Sequence, residues 1–464
     1  MRIVLSLCIL FLSAATALSQ GHDIASLRND EAGKRVVAYF DAYNAGEDAL
    51  KAFFTDNITP DALKQRPVEP RLAFHKQVRS DFGKIELVSV TSVTPEEIKV
   101  VARSANGAAI EYDFQISPTD KKFASMGIQP QGDGPPPAPA MVAPKNAAEL
   151  PGAVEKMFDS LARDGQFSGV VLVTKDGSPI VSKAWGMADV SKSISNRVDT
   201  KFNLGSINKL FTRVAIGQLV KAGKLSYSDK LSKLLPDYPN KEIADRVTIA
   251  QIVTMTSGLG DFINDDYWSS DHSKFRSLKD YLPLFVNRPL EFEPGTKNRY
   301  SNAGYLVLGL VIEKLSGQNY YDYVRENVFK PAGMTDTDSY EIDKLPANTA
   351  IGYMTKGSPN GRVPNSHELP ARGSSAGGGY SSAADLLKLA AALKSGKLSL
   401  PNDDGTFPAE FTSTGIAGGS EGVNGLFLTN SKTGYTVIVL SNFDPPSAEQ
   451  PGMMVRDWIK QITQ

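Results

Sequence analysis

The chain has 464 residues, with 50 lysines and arginines against 51 aspartates and glutamates, and a single cysteine. This length exceeds the roughly 100–200 residues of one ordinary domain and predicts two domains or more. The balanced charge gives no electrostatic footprint for nucleic acid or for an anionic membrane. One cysteine excludes an intramolecular disulfide framework, and four histidines without a clustered spacing argue against a metallohydrolase. We therefore expect neither a metal nor a cofactor.

The first 19 residues have the pattern of a secretory signal peptide. Met1-Arg2 is a short positive start, residues 3–12 are mostly apolar, and residues 13–17 are the small residues typical of a cleavage region. The apolar stretch is too short for a membrane-spanning helix, although a buried N-terminal helix is an alternative. We predict a secreted or periplasmic protein without a membrane span.

Residues 23–129 are predicted to form a small α+β domain. Residues 30–54 carry apolar side chains at helical spacing, and Gly46 is expected to break the helix. Three segments alternate as strands do: 84–94, 98–102 and 109–116. Between the last two, Asn106-Gly107 is typical of a hairpin turn. This pattern is similar to the cone-shaped domains of the nuclear-transport-factor-2-like type. No polar constellation points to catalysis, so we expect this domain to bind a partner or to dimerise.

A proline-rich linker is predicted at residues 130–146, because five prolines and two glycines between Gly132 and Pro144 favour polyproline II. Residues 147–464 then form a second domain. Its predicted strands lie near both of its ends: 168–173, 180–184 and 435–441. With mostly helices between them, they predict a mixed α/β domain with one sheet built from distant segments and a helical insertion.

The main chemical signal is an S-x-x-K spacing, Ser206 to Lys209, at the predicted N-terminus of a helix. A serine hydroxyl becomes a good nucleophile only when a nearby base takes its proton. A lysine one turn away is such a base if burial and the positive helix end destabilise its ammonium form. The backbone N–H of Ser206 is then placed to stabilise an oxyanion. Taken alone, a helix cap followed by a surface lysine explains the same spacing.

Neighbouring segments resemble the serine β-lactamase and penicillin-binding superfamily, closest to class C β-lactamases, D-alanyl-D-alanine peptidases and family VIII esterases. The segments that carry the resemblance are Phe167–Val173, Phe202–Thr212, Met255-Thr256-Ser257-Gly258-Leu259, Tyr300-Ser301-Asn302 and Ala376–Leu386. It covers about residue 150 to the C-terminus. It implies a β-lactamase/transpeptidase-like fold, with an antiparallel sheet flanked by helices and a helical subdomain, and a catalytic Ser206 and Lys209.

The resemblance also gives Tyr300 a role in proton transfer and Asn302 a role in holding Lys209 and substrate. A tyrosine has a pKa of about 10 in water, so to act as a base it needs the help of neighbouring cations such as Lys209. Tyr238 begins the other Y-x-N of the chain, but it lies in a proline-flanked turn and precedes no apolar helix, so we reject it.

The third motif of the family is where the sequence departs from the pattern. Lys432-Thr433-Gly434 has the expected letters, but it reads as a turn directly before a strand. The position one hairpin earlier is Ile416-Ala417-Gly418, where Ile416 replaces the usual Lys, His or Trp. The N–H of Gly419 can still complete an oxyanion hole, because that needs no side chain. We expect Ile416 and Gly418 to contact substrate, with recognition of a substrate carboxylate weakened.

Two G-x-S-x-G segments, residues 373–377 and 418–422, are rejected as nucleophile elbows because no histidine follows His367. The preferred hypothesis is a serine hydrolase that forms an acyl-enzyme on esters first, then on amides or D-residue peptides, with β-lactams third. The alternative is a catalytically weakened, penicillin-binding-like module that only binds its ligand. Turnover of an ester that depends on Ser206 discriminates between them.

Overall fold

The structure, a computed structural model, describes residues 24–65, 67–104, 109–131, 143–355 and 361–463. They form two compact units that divide between positions 139 and 140. The predicted signal peptide, the Asn106-Gly107 turn and the central part of the predicted linker lie outside the described residues. Within these ranges, no helix combines the length and the apolar composition needed to cross a membrane.

The N-terminal unit is a set of helices followed by an antiparallel sheet. Its elements are α1 (Glu31–Ala45), α2 (Glu47–Asn57), α3 (Pro60–Gln65), α4 (Val68–Phe82), β1 (Ile85–Val93), β2 (Glu97–Ser104), β3 (Ala109–Ile116) and β4 (Phe123–Gln131). The strands pair in the order β1-β2-β3-β4. The helix predicted at 30–54 is interrupted at Gly46, whose φ of 132° ends α1. Strand β4 was not predicted, because Gly127 and Pro130 weaken its alternation.

The apolar faces of these helices and strands form one core. Its largest fully buried side chains are Tyr39, Tyr43, Phe54, Tyr112, Phe114 and Phe123. Alternate residues of β3 are buried, as the period of two in a strand requires when one face of a sheet packs on helices.

The C-terminal unit has a five-stranded antiparallel sheet and several two-stranded pairs. Its strands are β5 (Gly169–Lys175), β6 (Ser178–Trp185), β7 (Met187–Asp189), β8 (Ile194–Ser195), β9 (Phe202–Asn203), β10 (Tyr353–Met354), β11 (Val363–Pro364), β12 (Tyr380–Ser381), β13 (Ser413–Ser420), β14 (Val423–Asn430) and β15 (Tyr435–Ser441). The order in the main sheet is β13-β14-β15-β5-β6. Strands from both ends of the unit are therefore neighbours, which confirms the predicted mixed α/β architecture.

Helices cover both faces of this sheet. They are α5 (Leu150–Arg163), α6 (Lys209–Lys221), α7 (Leu231–Leu234), α8 (Lys241–Arg246), α9 (Ile249–Val253), α10 (Asp265–Trp268), α11 (Asn302–Ser316), α12 (Tyr320–Val324), α13 (Lys330–Ala332), α14 (Ala383–Lys394) and α15 (Glu449–Thr463). Along β15, Val437 and Val439 join a core with α5 and α15. Ile438 and Leu440 join a second core with α6, α11 and α14. Burial on both faces explains why β5 and β15 are continuous apolar runs.

Candidate active site

Ser206 lies in a 3-10 turn, Gly205–Asn208, that leads from β9 into α6. The sequence predicted that an α-helix begins here; the structure differs because Gly205 has a φ of +49° and the chain turns sharply. The Asn203 side chain accepts a hydrogen bond from the Gly205 N–H at 2.9 Å and supports this turn. Side chains three residues apart eclipse each other in a 3-10 turn, which brings Lys209 directly beside Ser206.

The Lys209 ammonium group is enclosed by three acceptors. Its Nζ lies 3.1 Å from Ser206 Oγ and 2.7 Å from Asn302 Oδ1, and it also donates to the Ala376 carbonyl oxygen. Only 2% of the residue is exposed. This burial lowers the pKa of Lys209 to about 7, while the negative charge of Asp261 acts weakly in the opposite direction. A substantial fraction of Lys209 is therefore a neutral amine near pH 7.

Tyr300 closes the other side of Ser206. Its hydroxyl lies 2.5 Å from Ser206 Oγ, and Lys209 Nζ lies 4.8 Å from the centre of its ring. Half of the residue is exposed, but the hydroxyl end is inside the site. Burial of that end raises the pKa of Tyr300, and the hydrogen bond with Ser206 lowers it by less. The sequence analysis expected Lys209 to help Tyr300 act as a base. In the structure the pKa of Tyr300 is raised instead, so the tyrosine stays protonated and Lys209 is the easier group to deprotonate.

The first turn of α11 positions Tyr300 and Asn302. The Ser301 hydroxyl caps this helix by accepting from the Gly304 N–H at 2.9 Å, and it donates to the Gly260 carbonyl oxygen at 2.7 Å. The adjacent Asp261 carboxylate accepts from Asn302 Nδ2 at 2.8 Å. The sequence gives no signal for this contact, because it joins residues 41 positions apart.

The edge strand β13 approaches the turn that carries Ser206. A Cβ on Gly418 would lie 2.1 Å from the Leu204 carbonyl oxygen and 2.8 Å from the Ser206 nitrogen, so only glycine permits this approach. Ile416 lies two residues before Gly418 on the same face of the strand and packs partly buried against the core that contains α6. Lys432-Thr433-Gly434 lies apart from this edge, between β14 and β15.

The N–H of Gly419 faces away from the sheet. Across a two-residue turn, Ser420 pairs with Val423 and exchanges hydrogen bonds, so the next pair, Gly419 and Asn424, does not. The Gly419 N–H thus points to the open edge of β13. There, a Cβ on Gly205 would lie 2.8 Å from the Gly419 nitrogen. The N–H groups of Gly419 and Ser206 therefore lie near one another.

Neither of the rejected G-x-S-x-G segments forms the strand-to-helix turn of a nucleophile elbow. Ser375 is fully buried, and its loop instead holds the S-x-x-K turn. The Ser374 carbonyl oxygen accepts from Asn208 Nδ2 at 2.8 Å, and the Ser375 carbonyl oxygen accepts from the Thr212 hydroxyl at 2.7 Å. Residues 418–422 are the end of β13 and its turn.

An open depression of about 460 Å³ lies beside Gly419. Its lining residues are Thr355, Gly419, Ser420, Glu421, Asp444 and Pro445. Two of these, Glu421 and Asp444, carry carboxylates, and Asp444 pairs with Arg362 at 3.4 Å.

Several proteins with sequences or structures similar to this chain are named as penicillin-binding proteins. Penicillin-binding protein 4* of Bacillus subtilis (strain 168) is 33% identical over 206 residues, which cover 43% of this chain and 45% of that protein. The putative penicillin-binding protein PbpX of the same strain is 30% identical over 292 residues, or 59% of this chain and 70% of that protein. A penicillin binding protein from Bacillus halodurans has a crystal structure that matches with a TM-score of 0.56 and 32% identity, over 64% of this chain and 98% of that one. The chain thus spans less than half of the first relative.

Residues 154–454 match the Beta-lactamase family. Because this match covers more than half of the chain, the protein belongs to the Beta-lactamase family. The predicted resemblance and the β-lactamase-like fold are confirmed.

Proposed function

We propose that the C-terminal unit hydrolyses carboxylic esters, and related amides, through an acyl-enzyme on Ser206. The observation that carries this proposal is that Ser206 Oγ contacts both Tyr300 at 2.5 Å and Lys209 at 3.1 Å, with the pKa of Lys209 lowered to about 7. A hydroxyl between a neutral amine and a phenol has a proton acceptor and a proton relay in place.

The hydrogen bonds that Lys209 donates determine which group it can accept a proton from. A neutral Lys209 amine directs its two N–H groups at Asn302 Oδ1 and the Ala376 carbonyl oxygen, so its lone pair faces Ser206. Lys209 takes the Ser206 proton as Oγ attacks the substrate carbonyl carbon. The N–H groups of Ser206 and Gly419 stabilise the oxyanion.

Collapse of the tetrahedral intermediate breaks the bond to the leaving group. Tyr300 gives its proton to the departing oxygen or nitrogen and is reprotonated from Lys209, which leaves Ser206 acylated. Water then repeats the sequence: it loses its proton along the same route, attacks the acyl carbon and releases the acid. The attack uses contacts that are already formed, because Ser206 Oγ lies within hydrogen-bond distance of both Lys209 and Tyr300.

Neutral esters of small acids are the proposed substrates. Ile416 offers no charge to a substrate carboxylate, and none of the residues that line the depression beside Gly419 is a cation. Amides and peptides with D-residues come next, and β-lactams, which carry a carboxylate, third. The loss of the third-motif side chain also supports the second candidate, a binding module with weakened catalysis.

We further propose that the protein is exported. This rests on the signal-peptide pattern of residues 1–19 and on the penicillin-binding relatives, and the proposed linker and N-terminal domain then accompany the hydrolase outside the cytoplasm. The N-terminal domain is proposed to bind a partner or to dimerise.

Hydrolysis of p-nitrophenyl butyrate by the full chain tests the enzymatic proposal. Turnover that disappears in Ser206→Ala supports it, and Ser228→Ala is the control, because that serine lies in an exposed turn and bonds only to Ser226 among the described contacts. Equal hydrolysis by wild type and Ser206→Ala contradicts the proposed nucleophile. Binding of a substrate analogue without Ser206-dependent turnover favours the binding module.

A further inference from the structure

The Asn302 amide bridges two charged groups whose chemistry fixes its orientation. Its Nδ2 donates to Asp261 Oδ2 at 2.8 Å, and its Oδ1 accepts from Lys209 Nζ at 2.7 Å. An ionised carboxylate only accepts hydrogen bonds, so the NH₂ end of the amide must face Asp261. The oxygen end is then the one available to Lys209.

Asp261 is itself held in place. Its Oδ1 accepts from the Ile263 N–H at 3.0 Å, and its Oδ2 lies 3.5 Å from the Asn302 backbone nitrogen. The carboxylate therefore sits at the N-terminus of the 15-residue helix α11, where the helix dipole favours a negative charge. The preceding residue, Gly260, is tied to the same helix turn through the Ser301 hydroxyl. Both carboxylate oxygens are thus engaged by N–H donors.

This arrangement determines where the lone pair of Lys209 points. With one N–H on Asn302 Oδ1 and the other on the Ala376 carbonyl oxygen, the remaining direction of the amine faces Ser206. If the Asn302 amide turned over, its NH₂ end would face Lys209 and compete for the same lone pair.

We propose that Asp261 is a positioning residue, which orients the Asn302 amide so that Lys209 presents its lone pair to Ser206. The inference rests on the proposed function and adds a residue to it. Asp261 touches neither Ser206 nor the reacting atoms; it acts through Asn302.

The charge of Asp261 has a second consequence. The titratable groups that face Lys209 are Asp261, Tyr300 and Tyr305, whose ring centre lies 5.4 Å from Nζ. Burial raises the pKa of both tyrosines and also that of Asp261, but the N–H donors of Ile263 and Asn302 and the charge of Lys209 oppose the rise at Asp261. Asp261 therefore carries the negative charge among them. That charge favours the protonated lysine. Removing the charge of Asp261 lowers the pKa of Lys209. The acid limb of the profile of rate against pH then moves to lower pH.

The test compares Asp261→Asn with Asp261→Glu in the full chain. An asparagine must direct its NH₂ group at either the Ile263 N–H or the Asn302 amide, whereas glutamate keeps the charge and both acceptors. Asp266→Asn is the matched control, because Asp266 is exposed on α10 and pairs with Arg288 at 2.7 Å. Two rates are measured against pH: ester turnover, and phosphonylation of Ser206 by a fluorophosphonate, in which an Oγ–P bond forms, fluoride leaves and Lys209 takes the proton.

We expect Asp261→Asn to lower the plateau of both rates by about 10-fold to 100-fold. Its acid limb should move to lower pH by roughly one unit or less. Asp261→Glu recovers part of the rate with the limb near its original pH. In an Asn302→Ala background, Asp261→Asn should lower the plateau no further, because the pathway through the amide is already lost. A merely structural role lowers the rate without moving the limb.

Two results overturn the proposal: plateau rates in Asp261→Asn within twofold of wild type, or the same loss with and without Asn302. Failure of the proposed function looks different. If ester turnover is absent but Ser206 phosphonylation still depends on Asp261 and Asn302 as described, the positioning role stands and the esterase proposal fails. If wild-type Ser206 is not phosphonylated at all, both are contradicted.

Discussion

At the scale of single residues, the charge state of Lys209 controls the chemistry. A lysine in water holds its proton up to a pH near its ordinary pKa, about 10.4, and is no base at neutral pH. Here burial lowers the pKa to about 7, and the opposing charge of Asp261 reaches it only across Asn302. The site therefore combines the neutral amine of Lys209, which can accept a proton, with the protonated phenol of Tyr300, which can donate one.

This charge state predicts the pH dependence of kcat/KM for p-nitrophenyl butyrate. Only neutral Lys209 accepts the Ser206 proton, and the neutral fraction rises as the pH increases through about 7. The rate should thus increase about tenfold per pH unit below that value and level off above it. Lys209→Met should lower kcat/KM by about 10³-fold while circular dichroism stays unchanged. An acid limb near pH 10 contradicts the lowered pKa.

Ile416 is predicted to determine the response to substrate charge. Ile416→Lys places an ammonium on the strand face that approaches Ser206, so we expect kcat/KM to increase about tenfold for an ester that bears a carboxylate relative to p-nitrophenyl butyrate. Ile416→Leu, which keeps the volume and adds no charge, is the control. If the ratio of kcat/KM for the two esters is the same in wild type and in both variants, residue 416 does not determine the preference for substrate charge.

Sequence patterns predicted Ser206, Lys209, Tyr300 and Asn302 as the candidate group, and the structure brings all four together. Ser206 and Lys209 were predicted from their spacing at a helix start, and Tyr300 and Asn302 from the resemblance to the β-lactamase and penicillin-binding superfamily. Asp261 was missed because a single carboxylate in a loop has no periodicity, and its partner is distant in sequence. Contacts of that kind exist only in the folded chain.

At the scale of elements, β13 can approach the Ser206 turn closely only because residue 418 is a glycine. Gly418→Ala introduces a Cβ against backbone atoms that have nowhere to move, so the strand must shift away from Ser206 and carry the Gly419 N–H with it. We expect kcat to fall by about 10²-fold. Gly415→Ala on the same strand is the control: its Cβ meets only the end of the Leu428 side chain. Equal activity of both variants contradicts a role for this close approach.

The elements that sequence analysis predicted well are those with strong periodicity. β5 and β15 are uninterrupted apolar runs because both of their faces are buried. The start of α6 was wrong by one turn, since a positive φ at Gly205 leaves no signal in an apolar repeat. β4 was missed, and β13, with three glycines, was placed only by its position one hairpin before the Lys432 turn.

At the scale of the whole molecule, the two units have separate cores. The aromatic core of the N-terminal unit includes Phe114, which packs on Phe123 with ring centres 4.8 Å apart. Phe114→Ala should destabilise this unit by about 3–5 kcal/mol. Because all the candidate catalytic residues lie in the other unit, kcat/KM should stay unchanged. Calorimetry should show one of two unfolding transitions moving to lower temperature. Loss of ester hydrolysis at a temperature where both units are folded contradicts this independence.

Trapping the acyl-enzyme tests whether Ser206 is the nucleophile. The full chain is mixed with excess p-nitrophenyl butyrate, quenched in acid, digested and analysed by mass spectrometry. We predict one butyryl group on the peptide that contains Ser206, and none in Ser206→Ala, whose turnover is also lost. A butyryl group on another residue, or undiminished turnover in Ser206→Ala, contradicts it.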